Sequence, residues 1–206
     1  MPLAEQLAGL LRSSDGQGVT GMMRTRRQGP IICRDESGGG VVNIPVRIEP
    51  WAGAPAPVEY RWDEDTDILT AQVGDGGGGR SLSVDVEGSD GSWLILDVSD
   101  ERIRGVEVAV WPTVRKRADL RPPAEIESAR VKVGRNGGAP GVAAVEVDTP
   151  VAAESDDAER TIHFRLGPGR QVRTVRIARD MLLDIDTRDR LAGVWLLDVP
   201  PFPMNP

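Results

Sequence analysis

Apolar residues along this chain recur mainly at every second position, the spacing that buries one face of a β-strand and wets the other. Leu82, Val84 and Val86 alternate with Ser83, Asp85 and Glu87. VEYRW at 58–62 and ILTAQV at 68–73 flank the acidic turn DEDTD. WLILDV at 93–98 is a near-continuous apolar run, which predicts a central strand covered on both faces. The charged turn SDERIRG leads from it to VEVAVW at 106–111, and strand, turn, strand is the pattern of an antiparallel meander.

Helical spacing is confined to the start. Leu3, Leu7, Leu10 and Leu11 form a stripe that predicts a short helix over 3–12, ending in Ser-Asp-Gly-Gln-Gly at 14–18. Residues 15–40 are rich in Gly and Arg, with a short strand expected at 29–34. In VVNIPVRIEPW at 41–51, Pro45 limits the segment to an edge strand or an irregular lead-in. Residues 112–130 have no clean period, three prolines and the basic residues Arg115, Lys116, Arg117 and Arg121. They read as a linker with a helical turn near Ala124–Ala129. Alternation then returns. ARVKV and VAAVEVD around the Gly-rich turn 134–141 predict a hairpin, TPVAAESDDAER at 149–160 an acidic loop, and TIHFRL, VRTVRIARD and MLLDIDTRDRLAGVWLLDV further strands.

The two halves of the chain match. WLILDVSDERIRGVEVAV and MLLDIDTRDRLAGVWLLDV each carry an apolar run ending in an aspartate (Asp97, Asp184), a charged turn, and a glycine (Gly105, Gly193) before a second apolar strand. Asp97 to Asp184 is 87 residues and Gly105 to Gly193 is 88. Upstream, the strand, acidic loop and strand of 58–73 pair with those of 145–166. An internal repeat of one small sheet module follows. The expected fold is mainly β: two small antiparallel β-sheet modules of meander type, related by internal duplication, with a short N-terminal helix. The expected divisions are 1–40 (helix and lead-in), 41–111 (first module), 112–130 (linker), 131–200 (second module) and 201–206 (Pro-rich tail).

Tyr60, Asp63, Asp67, Leu69, Asp97, Gly105, Val106 and Glu107 in the first copy, with Asp184, Gly193 and Val194 in the second, carry a resemblance. The pattern is similar to the domain-of-unknown-function family numbered 2283, small bacterial β modules. Thr70 stands where that family has an aromatic, the second copy lacks the acidic-turn tyrosine, and Trp195 replaces a glutamate. The resemblance implies no catalytic residues. It implies modules found beside small toxin-like genes, acting as binding or neutralising partners.

Gly (24) and Pro (16) make up nearly a fifth of the 206 residues, which fits many turns and short strands. The large rings are mostly tryptophans: Trp51, Trp62, Trp93, Trp111 and Trp195. A net charge of −7 argues against non-specific binding to nucleic acid or anionic membrane. One cysteine, Cys33, forms no internal disulfide, so the fold needs no oxidising compartment. No apolar run approaches the roughly 20 residues of a membrane span. The N-terminus lacks the pattern of a signal peptide, and a cytoplasmic protein is expected.

The motifs that suggest chemistry are better explained as structure. GDGGGGRS at 74–81 fits GxGxxG and approaches a P-loop, but both motifs need a helix directly afterwards, and a period-two strand follows. It reads as a glycine hairpin loop. Asp63, Asp65 and Asp67 imitate the start of a calcium loop, yet the glycine and glutamate required further on are Ile68 and Gly74. His163 is the only histidine and points away from Ile162 and Phe164, so no His-rich zinc site and no cofactor is expected. Cys33 follows two isoleucines and reads as structural; Arg24, Arg26 and Arg27 would favour its thiolate if close.

Arg165, Arg170, Arg173, Arg176 and Arg179 are dense for an acidic chain. They read either as internal partners of the 154–159 acidic loop or as a docking surface for an acidic partner. The function predicted is a non-enzymatic protein–protein interaction module, an accessory subunit of a larger bacterial assembly or a toxin-neutralising partner. The partner is another protein or a second copy, with neither nucleic acid nor membrane insertion. The alternative is a small-ligand binder or hydrolase-like enzyme with a carboxylate-lined pocket between the modules, using Asp97 and Asp184.

Overall fold

The computed structural model of the chain describes residues 31–32, 44–74, 81–134 and 144–202. The helix expected over 3–12 and Cys33 lie outside them. Two strands lead in, β1 (Ile31–Ile32) and β2 (Val46–Pro50). A first unit follows: β3 (Val58–Asp63), β4 (Ile68–Val73), β5 (Ser81–Glu87), β6 (Trp93–Ser99) and β7 (Arg102–Val110). Next come β8 (Val114–Lys116), β9 (Ile126–Val133) and β10 (Ala144–Asp148). The second unit is β11 (Val151–Ser155), β12 (Ile162–Leu166), β13 (Val172–Ala178), β14 (Met181–Asp186) and β15 (Leu191–Leu196). The described residues are therefore mainly β, and none is helical.

The first unit has the spatial order β5-β6-β7-β4-β3, with every neighbouring pair antiparallel. The second has β13-β14-β15-β12-β11, again antiparallel throughout. The two orders are the same when β3–β7 are read as β11–β15. A meander covers only the last three strands of each unit. The preceding hairpin docks on the far side of β7 or β15, a Greek-key arrangement run from the other end of the chain. Residues 74–80 therefore do not close a hairpin: they join β4 to β5, which are not neighbours.

Equivalent backbone bonds recur in both units. Gly74 N donates to Pro57 O at 2.9 Å, and Gly167 N to Pro150 O at 2.7 Å. Val133 N donates to Glu101 O at 2.6 Å, and Val46 N to Asp189 O at 2.8 Å. The counterpart of β3 is β11, which lies inside the stretch read from sequence as an acidic loop. The segment 144–148, read as that counterpart, is the extra strand β10. Hydrophobic alternation alone cannot choose between two adjacent short strands; the leading prolines, Pro57 and Pro150, mark the true match.

The units are joined by exchanged strands. β9 runs antiparallel to β2, from Val46↔Val133 to Pro50↔Ala129. Its first residues run parallel to β13, and Lys132 meets Arg102 of β7. β10 lies parallel to β5, so β9 and β10 do not form the expected hairpin. β8 lies parallel to β11. The stretch 112–130 thus contains one strand and the start of another, and Ile126–Ala129 is extended where a helical turn was expected. Its backbone groups find partners on neighbouring sheet edges, which outweighs local propensity.

One apolar core runs through both units, holding Leu69, Leu94 and Leu96 of the first and Phe164, Leu183 and Leu196 of the second, all fully buried. Trp62 stacks on Trp111 with ring centroids 5.7 Å apart, and Trp111 meets Phe164 at 5.8 Å, linking the units. The tail after β15 closes the β3 edge: the Tyr60 hydroxyl donates to Leu197 O at 2.7 Å and Trp62 Nε1 to Pro200 O at 3.0 Å. Burial pushes the Tyr60 hydroxyl well above its ordinary pKa.

Candidate functional site

Each unit has an inner face on the shared core and an outer face formed by the alternate residues. Asp97 and Asp184 lie on these outer faces, directly across the ladder from Gly105 and Gly193. They are not turn caps, the role their position at the end of an apolar run suggested. In the second unit the Asp184 carboxylate lies over the glycine, and in the first the Gln72 side chain does. A Cβ on Gly193 would lie 2.7 Å from Phe164 O and 3.1 Å from Asp184 Oδ2. In both units the ladder shifts register just after the aspartate. The turn-capping acid is Asp186, whose Oδ1 accepts from Arg188 N at 2.8 Å and Arg190 N at 3.0 Å.

In the second unit the centre of the outer face is buried. Asp184 Oδ1 accepts from the Thr174 hydroxyl at 2.7 Å, and Oδ2 accepts from Trp195 Nε1 at 3.0 Å and faces His163 Nε2 at 2.9 Å. An ionised carboxylate only accepts, so Nε2 carries the proton in this contact. The imidazole stacks on the Trp195 indole, 3.9 Å between centroids and 7° from parallel. Burial by itself would raise the Asp184 pKa, but the bonds from His163, Thr174 and Trp195 outweigh it and hold the carboxyl below its ordinary value. The hydroxyl is bonded to the acid rather than to the imidazole, so the three side chains lack the order of a nucleophile triad. They tie β12, β13, β14 and β15 together.

Arg170 and Arg190 close the adjacent end. Arg170 Nη1 donates to Leu166 O at 3.0 Å and Nη2 to Leu191 O at 2.7 Å. Its Nε lies 3.1 Å from Asp186 Oδ2, an ion contact without hydrogen-bond geometry. Arg190 Nε reaches the same oxygen at 2.9 Å. Arg170 is thus a clamp on the loop between β12 and β13. The other arginines of the expected docking set are more exposed: Arg173 pairs with Asp189 at 2.7 Å, Arg176 donates to Arg179 O, and the Arg165 and Arg179 side chains project outward. The acidic loop draws its cations from elsewhere, with Arg117 on Glu154 at 3.1 Å and Lys116 on Glu159 at 2.7 Å.

The segment between β8 and β9 covers this face. Leu120, only 6% exposed, packs with Leu182 and Trp195, and Ile126 joins them. Leu182 is consequently fully buried.

The same face of the first unit is open. Ile95 stands in the place of Leu182, Glu107 in that of Trp195 and Asp85 in that of Arg176, read from the matched ladders, and Glu87 follows Asp85 on the same face. Among the described residues β6 is therefore covered on one face only, where covering on both was expected. Ile95 is half-buried, and at the rim Trp93 is 41% and its cross-strand partner Val110 46% exposed. Beside Trp93 is a cavity of about 160 Å³ lined by Asp85, Glu87 and Gly91. Asp85 Oδ1 is buried without a hydrogen-bond partner among the described residues. Gln72 Nε2 donates to Asp97 Oδ2 at 3.2 Å, so Asp97 and Asp184 are each held within their own unit rather than facing one another. Sequence reading missed this face, because period two says which residues share a face but not whether anything covers it. The signal available was Trp93, a large ring beginning an otherwise aliphatic strand.

No protein-family model matches the chain, and no curated protein matches it. Among the described residues, no group of three or more His, Cys, Asp or Glu is placed to hold a metal, and no helix is long and apolar enough to cross a membrane.

Proposed function

We propose that this chain is a non-enzymatic protein–protein interaction module, made by duplication of one five-strand unit, whose first unit receives another protein on its outer face. One observation carries the reading: two topologically equal faces differ in that one is sealed by the chain itself and the other, among the described residues, is bare, apolar at its centre and acidic around it. A monomeric protein seldom leaves such a face without use. Duplication supports it, since two copies of one unit allow the chain to cover one face while the other is free to bind. The resemblance to the small bacterial β modules, with their role as binding or neutralising partners, points the same way, and the single cysteine is compatible with a cytoplasmic setting.

Site-directed photo-crosslinking tests it. A benzophenone side chain at position 95, in the cell that makes the protein, should yield a discrete crosslinked protein. The same group at Arg188, on the exposed turn of the second unit, should not. Equal capture at both positions, or none at 95, would overturn the reading.

A further inference from the structure

We infer that the partner presents to this face a non-helical, basic segment: an aliphatic side chain over Ile95, flanked by arginines or lysines that meet Asp85, Glu87 and Glu107. This rests on the interaction reading above and adds the chemistry and shape of what is bound. The shape comes from the molecule itself. On the second unit the equivalent position is filled by a non-helical stretch, 117–126, which turns at Arg117–Leu120 and lays Leu120 on Leu182 and Trp195. An irregular segment of this kind covers a pleated outer face without a further sheet layer.

The charge comes from the replacements between the two faces. Where the covered face has Arg176 and Trp195, the open one has Asp85 and Glu107, and Glu87 lies across the ladder from Trp93. Asp90, in the β5–β6 turn, and Asp148, beside Glu87, extend the acidic rim. The Asp90 carboxyl is engaged by Ser92, but Glu87 and Asp148 are exposed and Asp85 Oδ1 lacks a donor. A buried carboxylate oxygen without a donor is costly, and a guanidinium entering the cavity beside Trp93 supplies both the donor and the charge. The exposed Trp93 ring offers such a cation its face, as Trp51 already does for Arg130, whose guanidinium carbon lies 3.4 Å from the ring centroid.

The test uses the full chain and a labelled synthetic peptide of its own residues 115–123, Arg-Lys-Arg-Ala-Asp-Leu-Arg-Pro-Pro, the stretch that leads Leu120 onto the second unit. Fluorescence anisotropy should show saturable binding that weakens as salt is raised. Binding should fall at least tenfold for Trp93→Ala and for the pair Asp85→Asn with Glu87→Gln, and stay unchanged for Arg188→Ala. A peptide with its four cations replaced by glutamate should not bind, and replacing its leucine by serine should weaken binding several-fold. The proposal is overturned if the glutamate peptide binds as well, if the face variants bind normally, or if no peptide binds. It is also overturned if the protein sediments as a dimer that Trp93→Ala converts to monomer, because a second copy would then be the occupant. Should crosslinking at position 95 capture a protein while the basic peptide fails, the interaction reading stands and only this chemistry is wrong.

Discussion

Gly193 and Gly105 each face an aspartate across the ladder, yet a methyl group would cost different amounts at the two sites. At Gly193 the added Cβ meets the backbone oxygen of Phe164 at 2.7 Å, which cannot move without shifting β12. At Gly105 the nearest atom, at 2.5 Å, is the end of the Gln72 side chain, which can swing away. Gly193→Ala should therefore lower stability by about 2–3 kcal/mol and Gly105→Ala by about 1 kcal/mol, read from urea unfolding midpoints at equal slope. Asp184 gives a pH signature. Its folded pKa lies below the ordinary value, so the stability it adds is present above the unfolded pKa of about 4 and is lost as pH falls through the folded value. Asp186 acts in the same direction, since bonds from Arg190 and Arg188 overcome the effect of its burial. Asp184→Asn should cost about 3 kcal/mol at pH 7. The gap from the unsubstituted protein should close as pH drops below about 4. A gap that stays constant down to pH 2 would show that the carboxylate charge is irrelevant there.

At the scale of elements, the 117–126 segment behaves as a lid fixed in place rather than as a linker. Leu120 is its apolar anchor, and Leu120→Ala should cost about 2 kcal/mol, the lower end for a buried leucine because the site lies near the surface. The diagnostic consequence is local. Hydrogen exchange should rise in β14 and β15, whose outer face the leucine seals, and remain unchanged in β5 and β6. β9 is the other element whose role is set from outside. Its residues pair with β2 and β13 and touch β7 at Lys132. The alternation in ARVKV announced a strand, while its partners, on two different sheets and in both directions, could not be read from it.

For the molecule as a whole, exchanged strands and one continuous core make the two units thermodynamically inseparable. Calorimetry should give a single transition with equal calorimetric and van't Hoff enthalpies. A fragment ending at residue 111 should fail to fold, because it lacks β9 and β10, which border β2 and β5, and the 197–202 tail that satisfies Tyr60 and Trp62. Two separate transitions, or a folded fragment, would show that the units are independent domains. The interaction face belongs to this scale too. Ile95 is only half-buried because the covering present over Leu182 has no counterpart above it among the described residues.

Local pattern alone was enough to set the strand content, the aspartate-to-glycine spacing repeated in both halves, and the absence of a phosphate-binding helix after 74–80. Each depends on neighbours within a few residues, through side-chain alternation, turn chemistry and the need for a helix to start where it binds. Strand order, the exchange of β8, β9 and β10 between units, the true counterpart of β3 and the burial of Arg170 were decided only by the tertiary structure. Those depend on which distant backbone edge satisfies which hydrogen-bonding groups, and on what covers each sheet face. Of two faces with matching strand order, one became a sealed polar network around Asp184 and the other an open acidic surface around Trp93. The difference lies in where a non-repeating segment of chain comes to rest.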